Sequence, residues 1–358
     1  MEKAKAWVIE GKDKLAIQEL DIPEAGDYEV LFKTEVCSLC TVDRRTYKGT
    51  RNYGYPFLGG HECSGTIIKT GRGVVGVKPG DKAIFTSGYC NQCELDRSGR
   101  GTQCNHKKEM PQRALLAGNI LGGGLCEYLV IPAWQVIRIP DDADLRHAAL
   151  TEPLACCIHS IRKARIKFAD TIVIIGMGIM GYFHLKLAQM SGARIIVSET
   201  DEKKRRMALQ EGAAYAFDPM QCDVNEELRK LTDGLGADAV INTIPFQEVW
   251  QQAIDMLAPY GRLIAYSSQN SKEPIGVDFG KVHSREIEFI GTLNPTIEDN
   301  QMAVKLISYR MIDMEKVIDR EFSFAQGKEA FEYACKPGVY RVMINYGKEG
   351  NTYACNNE

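Results

Sequence analysis

Two cysteine pairs with the same spacing stand in the N-terminal third of the chain. Cys37 and Cys40 lie in EVCSLC, and Cys90 and Cys93 lie in YCNQC. A CxxC pair can be a redox dithiol, half of a zinc ribbon or part of another metal site. The residues around each pair therefore decide which chemistry it supports.

The second pair is followed by two further metal-type donors. Asp96 comes three residues after Cys93, and Cys104 follows on the same glycine-rich loop. Three thiolates and one carboxylate oxygen can converge on a tetrahedral zinc ion and leave no position for a substrate. The set Cys90, Cys93, Asp96 and Cys104 thus predicts a closed, structural zinc site.

Another donor set contains a histidine. His61 and Glu62 are adjacent in LGGHECSG, directly after a double glycine. Both side chains are acceptable zinc ligands, and a thiolate from EVCSLC would make three, with one position left open for water or substrate. An adjacent His-Glu pair is also common on polar surfaces, so it indicates a metal only together with the thiolate.

The stretch GMGIMG places Gly176, Gly178 and Gly181 between the apolar run TIVII and a helical pattern. In that context the first glycine permits a tight turn, the second lets the backbone approach a pyrophosphate, and the third allows close helix packing. The next strand pattern, RIIVSE, ends at Glu199. An acid at this place accepts ribose hydroxyls and repels a 2′-phosphate, which favours NAD over NADP.

The elements around these residues follow two patterns. Up to about residue 150 the chain has glycines and short β-type runs, namely AKAWVI, EVLFKTEV, HECSGTIIKTG, DKAIFTSG and LCEYLVIP. From residue 171 apolar strands alternate with amphipathic helices, which indicates a parallel sheet covered by helices on both faces. After residue 292 come two helical patterns and a strand-like end, so we expect a doubly wound domain inserted into a mostly β domain.

Composition excludes several classes of function. The 358 residues are 44% apolar and 25% charged with a net charge of -3, which gives no general attraction to nucleic acid or to anionic membranes. The N-terminus has no apolar run, and no segment reaches the ~20 apolar residues that span a bilayer. We therefore expect a cytoplasmic protein whose twelve cysteines are reduced thiols rather than a disulfide scaffold.

Together the motifs resemble the zinc-dependent medium-chain dehydrogenase/reductase (alcohol dehydrogenase) family, nearest its polyol (sorbitol-like) and threonine dehydrogenase branch. The resemblance runs along essentially the whole chain, and its carriers are CTVDRRTYKG, GGHECSG, VGVKPGDKA, the Cys90 loop, GGGLCEYLVIP, AALTEPLACCIHSI, GMGIMG and EAFEYACKPGVYRVMIN. It implies an α/β fold, with a GroES-like catalytic domain at 1–153 and 293–358 and an inserted Rossmann domain at 154–292. It also implies a homodimer or homotetramer that acts on a small alcohol or ketone.

The resemblance implies which residues bind the catalytic zinc, namely Cys40, His61, Glu62 and Glu152, the last in TEPLA. Cys156 or Cys157 could replace Glu152, although Glu152 is preferred. Within EVCSLC the metal is then assigned to Cys40 alone, and Cys37 is expected to be a small buried residue. The family carries four cysteines in the second loop, and this chain has Asp96 at the third place.

The resemblance also implies a set of residues that contact NAD. These are Gly176, Gly178, Ile179, Met180, Gly181, Glu199, Lys204, Tyr266, Ser267, Ser268, Thr292, Leu293 and Asn294. In such a site zinc acts as a Lewis acid on the substrate oxygen, and a hydride passes from the carbinol carbon to the nicotinamide.

This chain departs from the family in its proton relay. Family members usually carry a serine or threonine two residues after the zinc cysteine and often a histidine five residues after it, and here those places hold Val42 and Arg45. We expect Glu152, with Glu62 as a second candidate, to accept the alcohol proton. Thr41 and Thr46 are further hydroxyl candidates.

Two further questions stay open at the level of sequence. The basic residues of RRTYKGTRNYGY are typical of a solvated surface, and they could also recognise a carboxylate or phosphate on a sugar-like substrate. The missing relay also allows a protein that binds zinc and dinucleotide without turnover. A zinc-free reductase of the same superfamily is disfavoured because the metal-type residues are kept.

Overall fold

The structure, a computed structural model, describes residues 3–51, 53–86, 89–106, 118–268 and 273–347. They form two compact units. The first unit contains the described residues up to Pro153 and those from Thr296 onward, and the second unit is Leu154–Pro295. Within the described ranges no helix has the length and apolar character needed to cross a bilayer.

The strands and helices are numbered in chain order. The strands are β1 Lys3–Gly11, β2 Lys14–Asp21, β3 Glu29–Ser38, β4 Phe57–Leu58, β5 Glu62–Thr70, β6 Lys82–Phe85, β7 Asn119–Ile120, β8 Tyr128–Pro132, β9 Val136–Arg138, β10 Thr171–Ile175, β11 Arg194–Ser198, β12 Tyr215–Phe217, β13 Ala237–Asn242, β14 Leu257–Ala265, β15 Glu288–Gly291, β16 Ile318–Ser323 and β17 Arg341–Asn345. The helices are α1 Thr41–Tyr47, α2 Glu94–Arg97, α3 Leu145–Ala148, α4 Thr151–Ala164, α5 Ile179–Met190, α6 Glu202–Gln210, α7 Val224–Leu231, α8 Gln247–Asp255, α9 Phe279–Arg285, α10 Ile297–Ser308 and α11 Gly327–Ala334.

The first unit is built on two sheets. The larger has the order β16-β17-β3-β5-β6-β9 with β8 also paired to β3, and the smaller has the order β2-β1-β4-β7. In the antiparallel β3–β5 ladder Ser38 lies opposite Glu62, and in the β17–β3 ladder Met343 lies opposite Ser38. This register brings the end of β3 and the starts of β5 and β17 to one place in the sheet.

Apolar residues from both sheets of the first unit share one core. Phe32, Phe57 and Phe331 are buried in it together with Cys37, and Phe32 packs edge-to-face on Phe85 with ring centroids 5.5 Å apart. Runs of consecutive buried residues in β1, β3 and β5 show that both faces of these strands are covered over part of their length. The predicted burial of Cys37 is confirmed.

The second unit contains a six-stranded parallel sheet with the order β12-β11-β10-β13-β14-β15. This is the doubly wound dinucleotide-binding order, in which the direction of winding reverses between the first and fourth strands of the unit, here β10 and β13. The strand TIVII is apolar throughout because both sheet faces are covered. The α/β fold class predicted from the sequence is confirmed.

The two longest strands without a counterpart among the predicted runs are β2 and β16. In β2, KLAIQELD, only Leu20 is buried, and in β16, IDREFS, three consecutive charged residues follow Ile318. Neither segment has the continuous apolar run that a covered strand shows. A third difference is that β14 begins at Leu257, four residues before the predicted strand.

A buried histidine lies in the second unit on α5. His184 Nδ1 is 2.7 Å from the carbonyl oxygen of Met180, and Nε2 is 2.9 Å from Ser160 Oγ. Because a carbonyl only accepts, Nδ1 carries the proton, and the neutral ring accepts from the Ser160 hydroxyl through Nε2. Burial lowers the pKa of His184 from 6.5 to about 4.

This histidine predicts a pH dependence of stability. A folded pKa below the unfolded one means that the contribution of neutral His184 is complete above about pH 6.5 and is lost as the pH falls toward 4. The lost free energy of unfolding is about 3 kcal/mol over that window. Urea unfolding of wild type and His184→Gln at several pH values should show a steeper loss in wild type, and equal slopes would contradict it. His283→Gln, a change on the surface helix α9, is the control.

Candidate metal centre and dinucleotide turn

Three predicted zinc ligands meet at the end of β3 and the start of β5. Cys40 is the residue before α1, His61 directly precedes β5, and Glu62 is its first residue. One donor atom from each lies within 4.8 Å of the other two. The β3–β5 register is the reason, because it sets Ser38 opposite Glu62 and so brings the two loops together.

A buried carboxylate fixes both ligand loops. Asp43 Oδ2 accepts the backbone N–H of Cys40 at 2.9 Å, and Oδ1 accepts that of Gly60 at 3.2 Å. A Cβ on Gly59 would lie 2.0 Å from Asp43 Oδ1, so the double glycine is what lets this carboxylate approach. Asp43 therefore has a structural role, since it fixes the backbone of both ligand loops.

The donor pair Cys40 and His61 fits a divalent metal. The imidazole is hydrogen-bonded to the Cys40 thiol, while its Nδ1 is buried and has no hydrogen-bond partner. Burial alone would lower the pKa of His61, but the negative charge and hydrogen bond of Cys40 outweigh it and raise that pKa. Burial and the Glu62 carboxylate raise the pKa of Cys40. A cation between the two groups would stabilise the thiolate and the neutral imidazole, which are the forms that bind zinc.

Glu62 is paired with a buried arginine. Arg341 Nε and Nη2 donate to the Glu62 carboxylate at 2.9 and 2.7 Å, and Ser38 Oγ donates at 2.6 Å. The two charged side chains are 1% and 0% exposed. Burial favours the neutral acid, but Arg341 outweighs it and lowers the pKa of Glu62. Glu62 is thus an ionised carboxylate that already accepts hydrogen bonds on both oxygens.

Arg341 is the residue that sequence analysis missed. Its Nη2 is 3.8 Å from Cys40 Sγ, so one guanidinium contacts both a predicted metal ligand and its neighbour Glu62. The available signal was a cation inside the apolar strand RVMIN, since a charged residue on a covered strand requires a buried partner. Sequence spacing could not identify that partner 279 positions away.

Glu152, the fourth predicted ligand of the catalytic zinc, is not part of the group formed by Cys40, His61 and Glu62. It lies half-buried in the first turn of α4 and is not among the residues whose donor atoms lie within 4.8 Å of one another. Its charge nevertheless contributes to raising the pKa of His61 and of Arg341, which places the carboxylate beside the centre.

The structure shows what surrounds Val42 and Arg45, the residues at the two positions of the missing proton relay. The Val42 side chain packs against the core of the first unit. Thr46 Oγ donates to the carbonyl of Val42 at 2.8 Å, so its proton is used within α1. The Thr41 hydroxyl accepts from Arg44 at 2.9 Å and keeps its own proton for donation. Arg45 is half-buried on the same helix.

The predicted structural site is also assembled. The donor atoms of Cys90, Cys93, Asp96 and Cys104 all lie within 4.8 Å of one another. Backbone N–H groups of Gln92 and Cys93 point to Cys90 Sγ at 3.4 and 3.3 Å, a contact that stabilises a thiolate. Asp96 Oδ2 accepts two backbone N–H groups, and its Oδ1 is buried without a hydrogen-bond partner. Three sulfurs and an orphan carboxylate oxygen fit a zinc ion.

The glycine turn of the second unit has the geometry that a pyrophosphate requires. Gly176 has φ of 91°, and a Cβ on Gly181 would lie 2.0 Å from the carbonyl oxygen of Gly176. A Cβ on Gly178 would meet nothing within 4 Å, so that side of the turn is open. Glu199, one residue beyond β11, accepts the backbone N–H of Met177 at 2.6 Å and thereby lies against the turn.

Other predicted NAD residues lie beyond the carboxyl ends of the same sheet. The Tyr266 hydroxyl is 2.9 Å from Met180 Sδ, which joins the segment after β14 to the start of α5. Ser267 donates to the carbonyl of Ile244 at 2.8 Å, and Thr292 N–H to that of Ala265 at 3.4 Å. Exposed residues at these ends are Ser268, Leu293 and Asn294, and Lys204 is half-exposed on α6. Ligands of doubly wound sheets bind at this edge.

The fold and the site together define a class of protein. Such a protein combines a β unit that carries a cysteine-histidine centre with a parallel sheet of the dinucleotide-binding order. Family models agree with it. Residues 179–309 match the zinc-binding dehydrogenase model, and residues 26–141 match that of the alcohol dehydrogenase GroES-like domain. The chain belongs to the zinc-dependent medium-chain dehydrogenase/reductase family, in its polyol branch. It is an oxidoreductase that acts on alcohols.

Individual relatives cover almost the whole chain. The D-arabitol-phosphate dehydrogenase of Enterococcus avium is 28% identical over 345 residues, which are 95% of this chain and 96% of that protein. The sorbitol dehydrogenase of Halalkalibacterium halodurans is 29% identical over 347 residues, which are 96% and 98% of the two proteins. The NADP-bound structure of a zinc-binding dehydrogenase from Sinorhizobium meliloti 1021 has a TM-score of 0.86 at 26% identity, covering 96% of this chain and 100% of that one.

The second donor set gives a prediction about metal content. Asp96→Ala should lower the zinc content by one ion per chain, because three thiols remain where a tetrahedral site needs four donors. Asp96→Cys should keep that ion, since a thiolate replaces the carboxylate. Elemental analysis of the purified proteins measures both. Full zinc in Asp96→Ala would show that the carboxylate is not a ligand.

Proposed function

We propose that the protein is a zinc-dependent, NAD-linked dehydrogenase of a secondary alcohol of the polyol, sugar or sugar-acid type. The observation that carries this proposal is the pair of Cys40 and His61, whose donor atoms lie within 4.8 Å of each other while the buried His61 Nδ1 has no hydrogen-bond partner. The names of the arabitol-phosphate and sorbitol dehydrogenases support the substrate class.

The residues that would hold the catalytic zinc are Cys40 and His61, with Glu62 or Glu152 as the carboxylate. When bound, zinc polarises the substrate oxygen and lowers its pKa, and the nicotinamide accepts the hydride. The protein positions the donors by two buried contacts. Asp43 holds the Cys40 and Gly60 backbones, and Arg341 holds Glu62.

The arrangement favours Glu152 over Glu62 as proton acceptor. Both Glu62 oxygens accept from Arg341 or Ser38, and its lowered pKa makes it a weak base. Arg45 cannot accept a proton because a guanidinium stays charged in proteins. Glu152 is half-buried, and its charge acts on both His61 and Arg341. The Thr41 hydroxyl is a second group that can pass a proton on.

Glu199 supports NAD as the preferred dinucleotide. Its carboxylate accepts from the N–H of Met177 at 2.6 Å and from that of Asp201 at 2.9 Å, so it is fixed beside the glycine turn. A fixed negative charge there repels the 2′-phosphate of NADP. The nearby cation Arg205 donates to two backbone carbonyls and pairs with Asp218 at 3.1 Å, which uses its charge elsewhere.

A second candidate is a protein that binds zinc and dinucleotide without turnover, which is favoured by the apolar packing of Val42 where a relay hydroxyl stands in the family. Zinc analysis combined with NADH formation on sorbitol, arabitol, arabitol phosphate and sugar acids separates the two. Turnover that a chelator abolishes supports the proposal. Full zinc and NADH binding without turnover on this panel would support the alternative instead.

The proton route can be tested at Glu152. Glu152→Gln should lower kcat by about 100-fold, because a positioned general base contributes at least that factor. KM for NAD should stay unchanged, and zinc content is measured alongside so that loss of the ion is distinguished from loss of the base. Near-normal activity with full zinc would rule out Glu152 as the base. Val42→Ser examines the same route, since it should raise kcat only where proton transfer limits turnover.

Cofactor choice can be tested at Glu199. Glu199→Gln keeps an acceptor for the Met177 N–H but removes the charge, so the ratio of kcat/KM for NAD over NADP should fall about tenfold or more. Glu202→Gln is the matched control, because it removes the same charge from a side chain that is 66% exposed at the start of α6. An unchanged ratio in Glu199→Gln would contradict the assignment.

A further inference from the structure

A cationic pocket lies on α1 within the first unit. Its volume is about 250 Å³. The lining contains three cations, two hydroxyls, a thiol and a methyl group but no carboxylate, and its residues are Thr41, Arg44, Arg45, Lys48, Thr50, Ala334 and Cys335. Guanidinium, ammonium and hydroxyl groups around one cavity are the donors that bind phosphate or carboxylate oxygens.

Arg44 is the most constrained cation of this pocket. Its Nη1 donates to the carbonyl oxygen of Ala334 at 2.8 Å, and its Nη2 donates to Thr41 Oγ at 2.9 Å. Both acceptors are neutral, so these bonds orient the guanidinium and do not neutralise its charge. Burial and the nearby charge of Arg341 lower the pKa of Arg44. An anion in the pocket would relieve the cost of burying this charge.

At the rim of the pocket the cation, Lys48, is more exposed and already has an acidic partner. Lys48 Nζ pairs with Asp13 at 2.7 Å, and both side chains are about half exposed at 48% and 44%. A pair of this kind contributes little to stability and can exchange its partner. The pocket therefore contains a half-buried cation oriented by hydrogen bonds, Arg44, and an exposed cation, Lys48.

The pocket begins beside the metal centre. Thr41, one of its lining residues, directly follows Cys40, and Cys40 and Glu62 both act electrostatically on Arg44. Because a helix rises 1.5 Å per residue, Arg44 stands only about 6 Å along the axis of α1 from Cys40. An anionic group a few bonds from a reacting carbinol can span such a distance.

We propose that this pocket binds the phosphate or carboxylate group of an acidic polyol substrate. The inference rests on the proposed dehydrogenase function and deepens it by naming the charge of the substrate. Arg44 provides a donor that is oriented by its own hydrogen bonds, and the Thr41 hydroxyl lies beside it. Lys48 adds a second positive charge at the rim of the pocket. The neutral part of the substrate then extends toward Cys40.

The first test measures binding without turnover. Calorimetric titration of the full-length protein with inorganic phosphate should show a site that Arg44→Gln weakens about tenfold or more, the effect of losing one charge-assisted hydrogen bond. Lys48→Gln should also weaken phosphate binding. Because the ion pair of Lys48 is exposed, this variant should fold even if Arg44→Gln does not. Lys12→Gln is the control, since this exposed lysine lies beside Gly49 but does not line the pocket. Absence of phosphate binding, or an equal loss in Lys12→Gln, would overturn the proposal.

The second test identifies the source of the anion. KM for arabitol phosphate should rise about tenfold in Lys48→Gln, whereas KM for arabitol and the Kd for NADH should stay constant. A weaker Kd for NADH would assign the pocket to the dinucleotide pyrophosphate and overturn the substrate assignment. Equal KM values for arabitol and its phosphate in wild type would overturn it too, with the dehydrogenase function intact. Phosphate binding without turnover on any alcohol would instead reject the dehydrogenase function.

Discussion

The buried ion pair of Arg341 and Glu62 is the interaction that holds the proposed metal centre together across two strands. It joins the first residue of β17 to the first residue of β5, and both side chains are almost fully buried. Two charges removed from water are tolerated only when each compensates the other and the remaining donors and acceptors are satisfied. Ser38 and the neighbouring Cys40 supply those contacts. The closing strand therefore balances the charge of the centre as well as completing the sheet.

Charge balance also explains how the ligand loops are held. Asp43 carries a buried carboxylate and uses it on two backbone N–H groups, one beside each predicted zinc ligand. Burial raises the pKa of Asp43 even though His61 and these N–H groups act to lower it. A buried acid of this kind is retained because it satisfies donors that would otherwise be unpaired. Around the centre, three acids, a thiol and an imidazole interact electrostatically with each other and with Arg341 and Arg44, so the local charge depends on all of them.

Much of this arrangement was predictable from the sequence, and the remainder depends on register. The glycine turn and Glu199 form one short βαβ unit, so local spacing is sufficient to predict them. The predicted structural zinc site is equally local, because its four ligands lie on one loop. Arg341 and Ser38 could not be predicted as partners of Glu62, because their contacts require knowing how β17, β3 and β5 pair. The strand β2 was missed because only one of its residues is buried, which leaves no apolar run to detect.

The division of the first unit into two chain segments has a consequence for biosynthesis. Cys40, His61 and Glu62 leave the ribosome early, whereas the arginine that compensates Glu62 lies 279 residues later. Until β17 is synthesised, a nascent chain holds a carboxylate at its centre without its counter-ion. The second unit can meanwhile fold, because its sheet is continuous in sequence. The order of translation thus leaves the Glu62 carboxylate without its counter-ion until β17 has been synthesised.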